Sequence, residues 1–338
     1  MIKTLKELCL LNGISGDESC VREYIIEKIR DKCDYSVDNL GNITAFRKGK
    51  KTPEKKLMIA AHMDEVGMIV TSVRSDGTLT FETVGGIDSA VIIGKRVKIG
   101  KNGLSGVVGS KAIHKLSAEE REKAPKISDL YIDFGAADKA EAEKYVSAGE
   151  CVYFDSEFME FGNNRIKSKA IDDRAGCALM LRLIEEEPEY DTFFVFNVQE
   201  EIGLRGSTVS AFSLQPDIAI VLEATTAADI DGADGAAKVC TINGGPVVSF
   251  MDRSTMYDKE LYKTAFETAK EIEIKCQTKS MIAGGNDSGA IHISGKGVRT
   301  IAVSLPCRYL HSPSCVISKQ DFDDAYRLVK LMMKRVLD

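Results

Sequence analysis

Side chains able to bind a cation or move a proton stand where apolar runs of this chain stop abruptly. Leu57-Met-Ile-Ala-Ala ends in His62, Asp64 and Glu65. A short apolar run after the charged segment from Lys50 to Lys56 reads as a buried strand. In open α/β sheets ligands sit just beyond the carboxyl ends of such strands. Side chains alternate along an extended segment, so positions i and i+2 share a face, and the spacing predicts Asp64 behind the ring of His62. A carboxylate there orients a metal-binding histidine. The plainer reading is a strand-end histidine beside a turn or capping aspartate, and His-x-Asp alone does not separate the two.

Three further constellations follow the same rule. Lys169-Ala-Ile-Asp172-Asp173-Arg174 opens a helical pattern; taken alone, the paired aspartates suit a helix N-terminus, where carboxylates accept from free backbone N–H groups. Thr192-Phe-Phe-Val-Phe-Asn-Val-Gln ends in Glu200 and Glu201. Adjacent carboxylates at a strand exit are costly unless they share a proton or a cation; a solvated loop is the alternative. Leu305-Pro-Cys-Arg308-Tyr309-Leu places His311 beyond a β-rich stretch, and Glu223 follows Ile-Ala-Ile-Val-Leu. Together His62, the Asp172/Asp173 pair, the Glu200/Glu201 pair, Glu223 and His311 are the ingredients of a two-metal hydrolase.

The elements that must position these residues fall into two textures. Ile2, Leu5, Leu8 and Leu11 space as a helix, which Asn12-Gly-Ile-Ser-Gly16 breaks. A second helix opens at Asp17 or Glu18, with Val21, Tyr24, Ile25 and Ile29 on one face. Strands are expected at 43–46 and 57–61. From Gly67 to about Ser168 short strand-like runs (68–73, 79–84, 91–99, 106–111, 130–134, 151–154) alternate with glycines, the pattern of a small β-barrel or sandwich. Short helices interrupt it near 118–123 and 137–145. Strand and helix patterns then alternate to the end: a helix from Asp172, strands 192–198 and 217–222, helix 256–272, strand 299–305 and helix 319–336. The expected fold class is α/β, with a mixed-sheet catalytic domain of residues 1–67 and 168–338 and an inserted, barrel-like β domain of residues 68–167.

Composition narrows the functional classes. The 338 residues suggest about two domains, and 44% hydrophobic residues with a net charge of −6 describe an ordinary globular protein. Nucleic acid is excluded as a partner, because a concentrated basic face is missing; Arg47 to Lys51 with Lys55 and Lys56 reads as a solvated loop. The N-terminus lacks the apolar core of a signal peptide, and no run reaches the roughly 18 apolar residues that span a bilayer. Nine scattered cysteines without a Cys-x-x-Cys pair suit reduced thiols. A cytoplasmic enzyme without a membrane partner is expected. His114, in the insert, and His292, on an expected helix after Gly284-Gly-Asn-Asp-Ser-Gly289, are read as surface or core residues. That glycine-rich stretch has no P-loop lysine and is a weak phosphate candidate.

From Asn12-Gly-Ile-Ser-Gly16 to Arg308-Tyr-Leu-His-Ser-Pro313 the motifs resemble those of the glutamyl and deblocking (tetrahedral) aminopeptidases, two-metal peptidases of which some members have been called endoglucanases. The resemblance implies a zinc-peptidase type of catalytic domain and an insert that mediates dimerisation. It implies that His62 and His311 each complete one metal's shell, that Asp172 bridges two ions, and that Glu201 and Glu223 serve one ion each. The family often has aspartate where this chain has Glu223. Glu200 becomes the general base, with Asp64 the second catalytic carboxylate. The Asp172–Asp173 peptide is expected to be cis.

Two divalent ions about 3.5–4 Å apart acidify a bridging water and clamp the attacked carbonyl, and a carboxylate just outside the shell relays the proton to the leaving amine. Nitrogen and oxygen donors suit Zn²⁺, Co²⁺ or Mn²⁺. The expected activity is removal of N-terminal residues from short peptides, in a dimer or a dodecameric cage enclosing the active sites. Two rival functions make different demands on the chain. A glycoside hydrolase needs paired acids beside a sugar cleft, and such clefts favour aromatic platforms, whereas this chain has no tryptophan. An inactive scaffold homologue predicts a damaged donor set, yet every ligand position and Glu200 carry competent groups.

Overall fold

In a computed structural model, which describes residues 1–338 apart from the side chain of Ala236, four parallel strands form the spine of the fold. Leu57–His62 lies between Thr192–Asn197 and Ile218–Thr226, and Arg299–Cys307 pairs with the latter. Every residue of Leu57–His62 is buried. A parallel strand covered on both faces carries a continuous apolar run instead of an alternation. Side-chain alternation divides the run between two cores. Leu57, Ile59, Ala61, Ile218, Ile220 and Leu222 enter the larger one, while Met58, Ala60, Ala219 and Val221 enter a smaller one on the opposite face.

Helices Ile2–Leu10, Ser19–Ile29, Ile171–Ile184, Lys259–Glu271 and Lys319–Arg335 supply the larger core. Arg205–Leu214 and Ser288–Ile291 cover the other face through Ala211 and Ile291. Each fully buried Leu or Ile contributes roughly 1.5–3 kcal/mol, enough to fix which face every strand presents. Antiparallel Ile43–Arg47 and Asp34–Val37 extend the sheet on one side; Val247–Val248 and Gln277–Thr278 extend it on the other. The result is an eight-stranded mixed sheet. Its four parallel strands all end along one edge.

The glycine-rich region closes on itself. Around the barrel run Gly67–Val73, Leu79–Val84, Tyr131–Asp133, Leu104–Gly109, Arg96–Ile99 and Cys151–Phe154, the last pairing back to the first. Met68, Val70, Phe81, Val97, Ile99, Ile132 and Val152 fill its interior. The barrel's strands end at Phe154. Hairpin Met159–Phe161 and Arg165–Ser168, inside the expected insert, instead pairs with Cys315–Ser318 near the C-terminus.

Two local expectations give way to capping and burial. The expected strand 91–99 is a short helix, Ser89–Ile92, followed by Arg96–Ile99; Asp88 caps the helix by accepting from the Ala90 N–H. Helix Arg205–Leu214 was not expected, because its buried face includes Gly206, Ser207 and Ser210 and carries little apolar periodicity. Among the described residues, no helix is long and apolar enough to cross a membrane.

Candidate metal centre

The shared edge of the parallel strands collects the chemistry. His62 is the last residue of its strand, Glu223 lies within Ile218–Thr226, Glu200 and Glu201 follow Thr192–Asn197, and His311 follows Arg299–Cys307. Asp172 arrives at the start of helix Ile171–Ile184, behind Ala170 with φ 54° and joined to Asp173 by a cis peptide bond, as expected.

Two donor sets share Asp172. His62, Asp172 and Glu223 form one; Asp172, Glu201 and His311 form the other, each with its donor atoms within 4.8 Å of one another. Asp172 turns Oδ1 toward His62 Nε2 at 3.3 Å and Oδ2 toward His311 Nε2 at 3.3 Å. Glu223 Oε1 is 3.5 Å from His62 Nε2, and Glu201 Oε1 is 3.3 Å from His311 Nε2. Glu200 groups with His62 and Glu201 within the same 4.8 Å span, so it borders the junction of the two sets.

Both histidines are held from behind by carbonyls. His62 Nδ1 lies 3.1 Å from the Asp64 carbonyl, and His311 Nδ1 lies 2.7 Å from the Gly86 carbonyl, which belongs to the barrel region. Donation from Nδ1 to a carbonyl aims Nε2 at the carboxylates, and Nε2 is the nitrogen that a ligating histidine held in this way would offer to a cation. Asp64 stands behind the ring of His62, where the spacing predicts it. Its carboxylate, 3.4 Å from His62 Nδ1, also accepts from the Glu200 N–H at 3.0 Å, the Glu201 N–H at 3.2 Å and the Ser15 hydroxyl at 2.6 Å.

Crowding of acids sets the electrostatics. Burial, reinforced by Asp172, pushes the Glu201 carboxyl up to about 7. Burial likewise raises Glu200, Glu223 and Asp173 well above the carboxylate range, with neighbouring acids adding to it. Asp172 moves the opposite way: burial opposes its charge, but hydrogen bonds from His311 and His62 outweigh that penalty. Burial also opposes charge on the two imidazoles. The surrounding carboxylates prevail, lifting His311 to about 10 and His62 well above its ordinary value. Glu201 Oε1 is buried without an aligned donor. A concentration of buried oxygen donors flanked by two Nε2 atoms fits divalent cations that accept mixed nitrogen and oxygen ligands.

Several supporting residues carried no recognisable signal in the sequence. Glu65 Oε1 accepts from Lys169 Nζ at 2.6 Å and lies 3.6 Å from Arg174. Arg174, fully buried, donates to the carbonyls of Met63, Leu8 and Gly13. It thereby ties the helix of Asp172 to the N-terminal segment. Asp287 is buried, receives the Asn197 amide at 2.7 Å, and bears electrostatically on Glu200. It ends Gly284-Gly-Asn-Asp287 in the glycine-rich stretch, a weak phosphate candidate whose Gly-Gly-x-Asp is similar to one near the site in the resembled family. His114 is exposed and His292 bonds through Nδ1 to the Ser288 carbonyl; neither is in a donor set.

Comparison with known proteins supplies the context for this geometry. The family model described as M42 glutamyl aminopeptidase matches residues 41–328. A protein of Acetivibrio thermocellus named as an aminopeptidase is 40% identical over 97% of both chains. Lysyl aminopeptidase of Pyrococcus furiosus is 31% identical, covering 98% of this chain and 96% of its own. Glutamyl aminopeptidase of Lactococcus lactis is 30% identical over 97% and 94%. Among solved structures, a TET aminopeptidase from a marine-sediment thaumarchaeote superimposes with TM-score 0.94 at 34% identity, over 99% and 96% of the chains. The TET1 peptidase of Pyrococcus horikoshii, described as assembling into a tetrahedron or an octahedral shell, gives 0.86 at 30% identity over 97% and 98%. A Thermotoga maritima protein named endoglucanase gives 0.80 at 36% identity over 99% of both chains.

Proposed function

The chain belongs to the M42 glutamyl aminopeptidase family and is a metal-dependent aminopeptidase, and we propose that His62, Asp172, Glu201, Glu223 and His311 hold two divalent ions, with Glu200 as general base. The observation that carries this reading is the pair of donor sets joined at Asp172. When bound, such ions acidify water and polarise the carbonyl under attack. Zn²⁺, Co²⁺ and Mn²⁺ all suit the donors. The glycoside-hydrolase and scaffold alternatives are set aside, since family and relatives concern peptide bonds.

The chain's own groups divide the remaining work. Asp172 presents one oxygen to each set, so it fixes their separation. Glu200 takes the proton of the attacking water and returns it to the departing amine, a task that favours a carboxyl raised toward neutrality. Burial and its acidic neighbours raise Glu200 in that direction. Asp64 acts through others: its carbonyl orients His62 and its carboxylate holds the amides of Glu200 and Glu201.

In this reading residues 1–67 and 168–338 form the catalytic domain and residues 68–167 an insert through which subunits pair. Short peptides are the substrates, shortened from their N-termini in the cytoplasm. Subunits assemble as a dimer or as a dodecamer, the state described for one TET1 neighbour. The test uses aminoacyl p-nitroanilides with chelation, metal restoration and Glu200→Gln. Chelation abolishes turnover and metal restores it, while Glu200→Gln keeps its metal and loses about 10²–10⁴ in kcat. A Glu200→Gln enzyme with parental kcat sinks the assignment.

A further inference from the structure

Four successive backbone amides run through the loop that carries Glu200 and Glu201, and each donates to a side chain from elsewhere in the fold. Val198 N–H bonds to Asn42 Oδ1 at 2.9 Å, Gln199 N–H to Glu18 Oε1 at 3.1 Å, and Glu200 and Glu201 N–H to the two oxygens of Asp64 at 3.0 and 3.2 Å. Gln199 has φ 54°, a conformation that disfavours any residue but glycine. A loop bent in this way relies on surrounding bonds to keep its shape. Removal of the bond at Gln199 frees the residue on which the turn into Glu200 depends.

We propose that Glu18 is a positioning residue for the aminopeptidase reaction, acting through the Gln199 amide to hold the Glu200 and Glu201 carboxylates in working geometry. Glu18 is only 3% exposed although its side chain is acidic, and no cation pairs with it among the described residues. Its Oε1 accepts from both the Gly16 and Gln199 N–H groups, the first at 2.8 Å. One oxygen thus joins the N-terminal turn to the catalytic loop. Neighbouring residues fix that turn: Ser15 donates to Asp64, the Glu65 N–H donates to the Gly13 carbonyl at 3.0 Å, and Tyr153 of the barrel donates to Asp17. At Gly13 a Cβ would come within 2.8 Å of Arg174 Nη2, so the turn is packed against the helix of Asp172.

This role rests on the assignment of Glu200 and Glu201 above, and the two fail differently. An active Glu200→Gln enzyme removes that assignment, whereas the Glu18 variants test only the clamp. Metal-loaded full-length Glu18→Gln, Glu18→Leu and Glu18→Asp are compared on one aminoacyl p-nitroanilide, with metal content measured in each. Glu18→Gln keeps an acceptor oxygen and retains kcat near the parent. Glu18→Leu loses about 10–100-fold in kcat, the range expected of a misplaced reacting group, with KM and bound metal unchanged. If Glu18→Leu does not fold, Glu18→Asp is read instead: the acid is one methylene shorter, and kcat falls at constant KM and metal content. Parental kcat in the folded variant read overturns the role. So does a loss of activity that follows lost metal, or a Glu18→Gln enzyme as impaired as the disruptive variant.

Discussion

Replacement of Glu65 by glutamine tests the ionic lock beneath the site. Glu65 is 2% exposed and faces Lys169 and Arg174, whose side chains are 3% and 0% exposed. Glu65→Gln preserves shape and leaves two buried cations without their counter-charge. Removal of one partner from such an arrangement costs about 3–5 kcal/mol. Unfolding entropy of about 2.1 cal/mol/K per residue, taken over the whole chain, converts that loss into a fall of about 4–7 °C in Tm. Burial already holds Lys169 below the ordinary lysine value, with Glu65 opposing the shift; without Glu65 it moves lower still. The native state then binds fewer protons than the unfolded state, so stability rises with pH through the window between the depressed value and the ordinary one. The melting deficit of Glu65→Gln therefore shrinks from neutral to alkaline pH. Thermal unfolding followed by circular dichroism at the two pH values measures both effects. A parental Tm at neutral pH, or a deficit that widens in alkali, refutes the reasoning.

Two further expectations concern elements away from the centre. Asp258 caps helix Lys259–Glu271 and accepts from Arg299 Nε at 2.7 Å, so Asp258→Ala costs about 1–2 kcal/mol at neutral pH. Bonds from Arg299 hold the Asp258 carboxyl below its ordinary value. That stability is present above the unfolded pKa and lost as pH falls through the native one, so the gap between variant and parent closes in acid melts. Cys177 is buried with Sγ 3.1 Å from the His62 carbonyl, and burial followed by Asp173 pushes its thiol well above the ordinary value. A native-state alkylation mapped by mass spectrometry labels exposed Cys20 and spares Cys177; equal labelling contradicts the packing.

Most of the candidate donor set is legible because parallel strands advertise themselves. A strand buried on both faces is a continuous apolar run, and the polar residue that ends it lies at the ligand-binding edge. His62, Glu200, Glu201, Glu223 and His311 were all read in this way, and Asp172 from the helix it opens. The barrel was visible through its glycine spacing, although its end was not: hairpin 159–168 has the same short-strand texture as the barrel and differs only in pairing with Cys315–Ser318. Helix Arg205–Leu214 escaped because its buried face is made of small and polar residues. The Glu65, Lys169 and Arg174 lock escaped for a different reason. Charged residues are ordinarily solvated, and only the fold brings these three together.

The least legible part of the site is what holds the histidines. Both rings are oriented by backbone carbonyls, of Asp64 for His62 and of Gly86 for His311, and a carbonyl is present at every residue, so no composition or spacing can mark it. The two carbonyls nonetheless differ in origin. That of Asp64 lies two residues beyond His62 on the same strand exit, whereas that of Gly86 lies 225 positions before His311 and follows the barrel strand Leu79–Val84. The His62 half of the centre is therefore fixed by the main sheet, and the His311 half depends on the seating of the barrel against it. If subunits pair through the barrel, the contact that assembles them also bears on the carbonyl that aims His311.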